Sequence, residues 1–355
     1  MPVWESMKQK TFLMAALALA SMGFARAEVP ELKNGNWITV GDITKVSTTE
    51  RDLAPALQFE YMVGKKTLGM LAYSLEGGLK DAKSLSFSIQ GDHPHTAAVM
   101  LDEDGGGHWI ALFAVPKTGW QKVTLGLADF ALGTGDNDPK DPNGKLDSGK
   151  IKSLAMVDLD TFLGNDVNAA TALFFPDMKI GPHSFYLKDV AFSEAAPAPT
   201  LLDGVGRPQA GWLAVGGVAL KNVSGSPLGT PALEARYKSG GGRVGGMMRS
   251  IPLHALAGKS ALTLTVASKL ATTLRLQLED DRGAKWDTSL DVPGDNAKKS
   301  FRLRLADWEP SQDSKEPEAK FDLARIKQIN LVDATGLAAP ETLENVLYLA
   351  GLDAR

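Results

Sequence analysis

The chain of 355 residues contains no cysteine. This absence excludes disulfides, cysteine nucleophiles, thiolate metal sites and a lipidated N-terminal cysteine. Long apolar runs are also missing, because no stretch beyond the N-terminal segment reaches the roughly 18 apolar residues of a membrane-spanning helix. An excess of positive charge is absent as well. The formal net charge of -4 therefore argues against a nucleic-acid partner.

The sequence also lacks the short motifs of common enzymes. No Gly-x-Ser-x-Gly elbow is present. Gly258-Lys259-Ser260 resembles the end of a phosphate-binding loop, but Leu253 stands where the first glycine of that loop belongs. Neither a nucleophile nor a general acid–base pair can be assigned. We therefore predict that the protein is not an enzyme and carries no cofactor.

The N-terminus has the pattern of a secretory signal. Lys8 and Lys10 supply a basic segment, residues 12–24 an apolar segment, and Ala25-Arg26-Ala27 a small-x-small cleavage site. This pattern predicts a signal peptide over residues 1–27 and export to the periplasm or the extracellular space. No membrane span is expected in the processed protein.

A stretch of alternating strands occurs twice in the chain. Residues 85–109 recur as residues 262–286, so that Leu85 matches Leu262 and Trp109 matches Trp286. Both copies contain an acidic turn, Asp102-Glu103-Asp104 and Glu279-Asp280-Asp281. The constant offset of 177 residues indicates an internal duplication of one β-rich unit. Apolar residues at every second position predict half-buried strands in both copies.

The duplication divides the chain into two modules. The predicted boundaries are 28–194 for the first β-sandwich and 208–355 for the second. Between them lies a linker over residues 195–207, which begins with Ala195-Ala196-Pro197-Ala198-Pro199 and favours extended geometry. Two domains of about 150 residues also suit a chain of this length.

Several segments together resemble a known fold family. These are Gly119-Trp120-Gln121-Lys122-Val123, Leu127-Ala128-Asp129-Phe130 and Phe185-Tyr186-Leu187-Lys188. They are similar to galactose-binding-like jelly rolls, a group that includes carbohydrate-binding modules and the complex I intermediate-associated proteins. The resemblance implies an all-β fold of two tandem jelly-roll β-sandwiches, which bind glycans or proteins.

Metal sites have two candidate segments, and we expect a strong site at neither. The resemblance implies a structural calcium near paired acids of the last strand, but Lys188-Asp189 and Ala350-Gly351 stand there. The loop at 136–147 is rich in Asp, yet Lys140 replaces one oxygen ligand. His93-Pro94-His95 is the only close pair of histidines, and a polar loop accounts for it. The prediction is no metal.

Aromatic residues indicate where a glycan would stack, because sugar rings pack on exposed Trp and Tyr faces. The first module has 15 aromatic residues and the second has seven. Tyr73 aligns with Arg249 of the second copy. Because a position that carries arginine is usually at least partly exposed, we expect Tyr73 to be accessible. Ala98 and Met100 are expected to form a flat outward surface beside it. The predicted ligand-binding residues are therefore Tyr73, His108 and Trp109.

Three function classes remain open at this point, and an enzyme ranks third because no nucleophile motif, metal cluster or acid pair can be assigned. The first is an exported, non-catalytic binding protein with a polysaccharide or glycan as its partner. The second is a structural or assembly protein of the cell envelope, with another envelope protein as its partner. In the second module Arg275 and Gln277 replace the apolar outward residues, and we expect a lattice of cross-strand charge pairs there.

Overall fold

The computed structural model describes residues 37–41, 44–64, 68–75, 79–133, 139, 141–164, 178–196, 212–251 and 256–354. The predicted signal peptide and most of the predicted linker lie outside these ranges. The chain divides into two compact units, Met1–Pro197 and Ala198–Arg355. We call them the first and second module.

The first module is built from short antiparallel strands. Its described strands are β1 (Trp37–Val40), β2 (Lys45–Arg51), β3 (Ala54–Val63), β4 (Met70–Ser74), β5 (Ser84–Gly91), β6 (His95–Glu103), β7 (His108–Val115), β8 (Gln121–Gly126), β9 (Ala131–Leu132), β10 (Ile151–Asp158) and β11 (Gly181–Ser193). One four-residue helix, α1 (Asp160–Leu163), follows β10, and 3-10 turns occupy Leu127–Asp129 and Ser148–Lys150.

The second module repeats this series. Its strands are β12 (Trp212–Val215), β13 (Ala219–Val223), β14 (Ala232–Ser239), β15 (Gly245–Ser250), β16 (Ala261–Ser268), β17 (Thr272–Asp280), β18 (Lys285–Val292), β19 (Lys299–Arg304), β20 (Glu309–Pro310), β21 (Ile326–Asp333) and β22 (Leu343–Ala354). Its 3-10 turns are Leu305–Asp307, Leu323–Arg325 and Thr335–Leu337.

Each module folds as two antiparallel sheets. In the first module the six-stranded sheet has the order β1-β4-β10-β6-β7-β9 and the five-stranded sheet the order β2-β3-β11-β5-β8. The second module has the same two orders, β12-β15-β21-β17-β18-β20 and β13-β14-β22-β16-β19. The fold is therefore all-β, as two tandem jelly-roll sandwiches, and this prediction is confirmed.

Register repeats as closely as strand order. Leu101 pairs with Trp109 in the first module, and Leu278 pairs with Trp286 in the second. From Leu57 to Val63 in β3 the buried residues are Leu57, Phe59, Tyr61 and Val63, while the residues between them are partly exposed. The alternation read from the sequence thus sets which face of each strand enters the core.

The core of each module lies between its two sheets. Phe87 of the five-stranded sheet and Phe113 of the six-stranded sheet meet edge to face, with ring centroids 5.1 Å apart. Phe59 packs against Phe185 at 5.1 Å, and both side chains are fully buried. Each such buried side chain contributes roughly 1.5–3 kcal/mol from apolar burial. In a chain without disulfides, the stability of each sandwich depends on this buried core.

The last strand of each module contains a bulge. Asp189 in β11 has a φ of 55°, and Gly351 in β22 has a φ of 110°. The register of each strand against its neighbour shifts at this point. Glycine and aspartate tolerate left-handed backbone better than most residues. A turn in the backbone therefore accounts for the residues that stand in place of the paired acids.

Candidate functional site

The structure places the predicted ligand-binding residue Tyr73 in the interior. Tyr73 of β4 pairs with Trp37 of β1, and their rings meet edge to face at 5.2 Å. Its equivalence with Arg249 holds, since Trp212 pairs with Arg249 in the same way. Both side chains are buried, Tyr73 at 5% exposure and Arg249 at 4%. The expectation that Tyr73 is accessible is therefore wrong. It assumed that a position occupied by arginine is exposed, and Arg249 is itself buried.

Trp109 and His108 lie at the acidic hairpin and are also buried. The Trp109 indole Nε1 donates to Glu103 Oε2 at 2.7 Å, and the other Glu103 oxygen accepts the Asp147 backbone N–H. His108 Nδ1 contacts Asp102 Oδ1, while the Ser153 hydroxyl donates to the other Asp102 oxygen at 2.6 Å. Both side chains are thus used in internal contacts. Ligand binding by Tyr73, His108 and Trp109 stays a prediction, and none of them presents an open stacking face.

The carboxylates of this hairpin differ in pKa because their partners differ. Burial alone would raise the pKa of Asp102, but hydrogen bonds from His108 and Ser153 and the charges of His108 and Lys152 outweigh burial and lower it. Burial raises the pKa of Glu103, and the neighbouring Asp141 adds to this rise. Asp102 therefore stays ionised over a wider pH range than a free aspartate.

The flat outward surface expected at Ala98 and Met100 is absent. Both side chains are buried, at 2% and 6% exposure. They belong to an apolar cluster on the six-stranded sheet together with Ala155, and Ile110 and Phe162 pack against it. The prediction of an accessible surface here is wrong, since outward parity on a strand does not guarantee contact with solvent.

The matching face of the second module carries polar side chains, which we call the polar face. It consists of Asn330, Gln277 and Asp287, with Arg275 beside them. Gln277 pairs with Asn330 on β21 and with Asp287 on β18. In the first module the same three positions are Ala155, Met100 and Ile110.

Hydrogen bonds connect the polar face across three strands. Gln277 Nε2 donates to Asp287 Oδ1 at 3.0 Å, and Asn330 Nδ2 donates to Gln277 Oε1 at 3.3 Å. The Arg275 guanidinium donates to the other Asp287 oxygen. The Arg275 side chain is nevertheless 46% exposed. Cross-strand pairing of this kind was expected from the sequence.

A loop after β20 forms one wall of the polar face. Ser311 is buried and receives contacts from Gln277 and Arg275 at 3.3 and 3.4 Å. Asp313 accepts from Gln277 at 3.2 Å and from Lys285 Nζ at 3.0 Å. Burial alone would raise the pKa of Asp313, but the Ser311 and Lys285 contacts lower it. The polar face is therefore bordered by an ion pair between Asp313 and Lys285.

A second polar group lies inside the first module, where the sequence analysis expected only a loop. The chain between β5 and β6, the end of β10 and the start of α1 bring together His93, His95, Asp158 and Asp160, which we call the histidine–aspartate cluster. His93, His95 and Asp158 each supply one atom within 4.8 Å of the other two. His93 is 4% exposed, His95 9% and Asp158 0%.

The Nε2 atoms of both histidines point toward carboxylates. His93 Nε2 lies 3.7 Å from Asp158 Oδ2 and 3.5 Å from Asp160 Oδ2, and His95 Nε2 lies 3.9 Å from Asp158 Oδ2. Neither Nε2 atom has a hydrogen-bond partner. A buried polar atom without a partner is costly and calls for an explanation.

The opposite nitrogen of each ring is engaged. His93 Nδ1 lies 2.6 Å from Asp92 Oδ1, and His95 Nδ1 lies 3.0 Å from the His93 carbonyl oxygen. Because a carbonyl oxygen only accepts, His95 Nδ1 donates its proton there. His183 packs against His93 with ring centroids 4.1 Å apart, and its Nδ1 lies 3.3 Å from Asp92. These contacts orient both Nε2 atoms toward Asp158.

Asp158 is held in place by two further contacts. The Tyr61 hydroxyl donates to Asp158 Oδ2 at 2.5 Å, and the Asp160 backbone N–H donates to Asp158 Oδ1 at 2.9 Å. Burial raises the pKa of Asp158 and the charge of Asp160 adds to it, although His95, His93 and Tyr61 oppose this rise. Burial lowers the pKa of His93, but contacts with Asp160 and Asp92 and the charge of Asp158 raise it to about 9. The cluster is thus an environment that favours a cation.

The second module has hydroxyl and amide side chains where the first has imidazoles. Register aligns Thr272 with His95, Asn345 with His183 and Asp333 with Asp158. Asn345 Nδ2 donates to the Tyr237 hydroxyl and to Thr272 Oγ1, both at 3.0 Å. The Ser239 hydroxyl donates to Asp333 Oδ2 at 2.8 Å. Hydroxyl and amide groups there satisfy one another without imidazole.

Comparisons with known proteins give similarity in structure alone. No known protein-family profile matches the chain, and no curated protein matches its sequence. A family 11 carbohydrate-binding module from Clostridium thermocellum, in complex with a β-1,3-1,4-mixed-linked tetrasaccharide, is 19% identical over 46% of this chain and 91% of its own, with a TM-score of 0.35. The tandem CBM22-1–CBM22-2 domain of Xyn10C from Paenibacillus barcinonensis is 14% identical over 92% of this chain and 94% of its own, with a TM-score of 0.27.

A further solved structure, TmCBM61 in complex with β-1,4-galactotriose, is 13% identical over 44% of this chain and 99% of its own, with a TM-score of 0.30. Agarases are also among the solved structures to which the chain is similar, and at these scores the similarity says nothing about the ligand or the activity of this chain. Among the described residues, no helix is long and apolar enough to cross a membrane.

Proposed function

We propose that the protein is an exported, non-catalytic binding protein, and that the polar face of its second module binds a glycan. The observation that supports this proposal is the row of Asn330, Gln277 and Asp287 across three adjacent strands, with Arg275 exposed beside it. Sugar hydroxyls both donate and accept hydrogen bonds. Amide, carboxylate and guanidinium groups offer both functions at fixed positions.

The hydrogen bonds within the polar face reduce the cost of binding. Gln277 is held by Asp287, Asn330 and Asp313 before any ligand arrives. A side chain that is already ordered loses little conformational entropy on binding. The signal pattern at residues 1–27 supports export, since it would bring the protein to the compartment where envelope glycans lie.

A protein partner is the second candidate. The polar face carries charges of both signs, with Arg275 and Lys285 near Asp287 and Asp313. Such a mixed pattern also suits a complementary protein surface. A structural or assembly role in the cell envelope follows from this alternative, and the same variants test both.

The test is calorimetric titration of the full chain with soluble polysaccharides, including mixed-linked β-glucan and β-1,4-galactan. Gln277→Ala and Asp287→Ala should each weaken glycan binding about 10-fold, because each removes a hydrogen-bonding group worth about 1–2 kcal/mol. Arg304→Ala is the matched control. Arg304 also pairs with an aspartate, Asp307 at 3.0 Å, but lies on the five-stranded sheet.

Two results would contradict the proposal. The first is unchanged affinity in the polar-face variants with loss in Tyr73→Ala or Trp109→Ala, which would assign binding to the first module as the sequence predicts. The second is absence of glycan binding together with capture of an envelope protein that Asp287→Ala abolishes. That second result would support the assembly role instead.

A further inference from the structure

We propose that the histidine–aspartate cluster of the first module is a binding site for one divalent transition-metal ion, with Zn²⁺ as the best fit. The ligand atoms are His93 Nε2, His95 Nε2 and Asp158 Oδ2, which lie within 4.8 Å of one another; Asp160 Oδ2, 3.5 Å from His93 Nε2, is the candidate for the fourth. This site is independent of the glycan-binding proposal, because it lies in the other module.

The geometry agrees with a metal between these atoms. A zinc ion bound at about 2.0–2.1 Å sets tetrahedral ligand atoms about 3.4 Å apart. The contacts of His93 Nε2 with Asp160 and Asp158 are 3.5 and 3.7 Å, and that of His95 Nε2 with Asp158 is 3.9 Å. These separations are long for hydrogen bonds, and they lie within about 0.5 Å of the separation that a shared ion requires.

The ring nitrogens that face away from the cluster give independent support. A metal-binding histidine usually donates its other N–H to a carboxylate or a backbone carbonyl, which fixes the free lone pair toward the ion. His93 has Asp92 at that nitrogen, and His95 has the His93 carbonyl. Both Nε2 atoms are buried without a hydrogen-bond partner and lie within 4.8 Å of each other and of Asp158, so both are placed to bind one shared ion that displaces the proton of His93.

The donor set selects the class of metal. Two imidazole nitrogens and two carboxylate oxygens suit zinc and the neighbouring late transition metals, whereas calcium and magnesium prefer oxygen ligands alone. Asp158 is fully buried, and its negative charge needs a nearby cation. A divalent ion bound by His93, His95 and Asp158 would supply that charge.

The position explains what the ion would do for the fold. His93 and His95 lie where the chain passes from β5 in one sheet to β6 in the other, and Asp158 ends β10. Tyr61, which holds Asp158, belongs to the five-stranded sheet. An ion here would connect both sheets at one end of the sandwich, the role that a disulfide has in many exported proteins. The chain has no cysteine for that purpose.

The experiment uses the full chain, expressed without a histidine tag and stripped with chelator, titrated with zinc chloride in a calorimeter and analysed for metal after dialysis. We expect one zinc per chain and a melting temperature that rises with zinc concentration. Asp158→Asn and His95→Thr each remove a ligand atom and should weaken zinc binding by more than about 100-fold. Asp92→Asn should weaken it by about 10- to 100-fold, because Asp92 orients a ligand without touching the ion. Asp333→Asn in the second module is the matched control and should leave zinc binding unchanged.

Three results would overturn the proposal: the unaltered chain does not bind zinc, Asp158→Asn still binds it, or Asp333→Asn reduces zinc binding as much as Asp158→Asn does. Should the buried variants fail to fold, Asp160→Thr replaces them, since the Asp160 side chain is 13% exposed and threonine occupies the equivalent position in the second module. Co²⁺ added to the unaltered chain gives a further readout. The intense visible absorption of tetrahedral cobalt supports the site, and its absence contradicts it.

Discussion

The first and second modules place different chemistry on the same backbone. At one end of each sandwich a tyrosine, Tyr61 or Tyr237, faces an aspartate at the end of an equivalent strand. Around it the first module has His95 and His183, and the second has Thr272 and Asn345. In the second module the Asn345 amide donates to Tyr237 and Thr272, so these side chains satisfy one another. The fold therefore does not require imidazoles at this place, and their presence in the first module calls for a separate reason.

The outward faces of the six-stranded sheets also differ, but here the second module has the polar side chains and the first has the apolar ones. The first module has Ala155, Met100 and Ile110 where the second has Asn330, Gln277 and Asp287. In the apolar row Ala155 and Met100 are buried and Ile110 is partly buried, whereas all three residues of the polar row are partly exposed. A duplicated fold has thus kept its core while its polar sites diverged, with an internal cluster in one copy and a surface in the other.

The largest expected effect comes from truncating a buried aromatic side chain in the core of one module. Phe59→Ala in the first module and Trp212→Ala in the second should each lower the free energy of unfolding of the affected module by about 3–5 kcal/mol, because both side chains are fully buried. Calorimetric unfolding of the full chain measures this. Each variant should lower one transition and leave the other in place. A single transition that shifts equally in both variants would show that the modules do not unfold as separate units.

A smaller effect is expected at the buried acids of the acidic turns. Glu103→Ala removes the acceptor of the Trp109 indole, and Asp280→Ala removes the acceptor of the Arg282 and Ala284 backbone N–H groups, both at 2.9 Å. Each loss leaves buried donors unpaired and should cost about 1–3 kcal/mol. Urea unfolding measures the change. Asp104→Ala is the control, since Asp104 is exposed and should change the stability little.

The smallest effect concerns pH at the hairpin of the first module. Hydrogen bonds from His108 and Ser153 lower the pKa of Asp102 below its usual 3.8. A lowered pKa stabilises the folded state above the unfolded-state value of about 3.9, and this contribution is lost as the pH falls through the folded-state value. The free energy of unfolding of Asp102→Asn should therefore fall less than that of the unaltered chain between pH 7 and pH 3. Equal losses in the two proteins would contradict this assignment.

Much of the fold was predictable from the sequence because it depends on local alternation. The offset of 177 residues matched β5 to β7 of the first module with β16 to β18 of the second. The strand registers of Leu101 and Leu278 agree with this match. The alternation of side chains along a strand does not, however, distinguish an outward residue that contacts solvent from one that neighbouring side chains cover. Met100 and Gln277 have the same parity, and only the neighbours of Met100 bury it.

The histidine–aspartate cluster was not predictable in the same way. His93 and His95 are close in sequence, but Asp158 and Asp160 lie more than 60 residues further along. Their approach depends on β10 pairing with β6, which places Asp158 beside Ala97. One signal was available. Asp158 and Asp333 end equivalent strands, and the residues near them differ between the copies, with histidine in one and threonine in the other.

Anomalous diffraction at the zinc absorption edge, from crystals of the zinc-saturated full chain, tests the central difference between the modules most directly. We expect one strong peak bounded by His93, His95 and Asp158, and no peak beside Thr272 and Asp333. Peaks of equal height in both modules, or an empty cluster in zinc-saturated crystals, would contradict it.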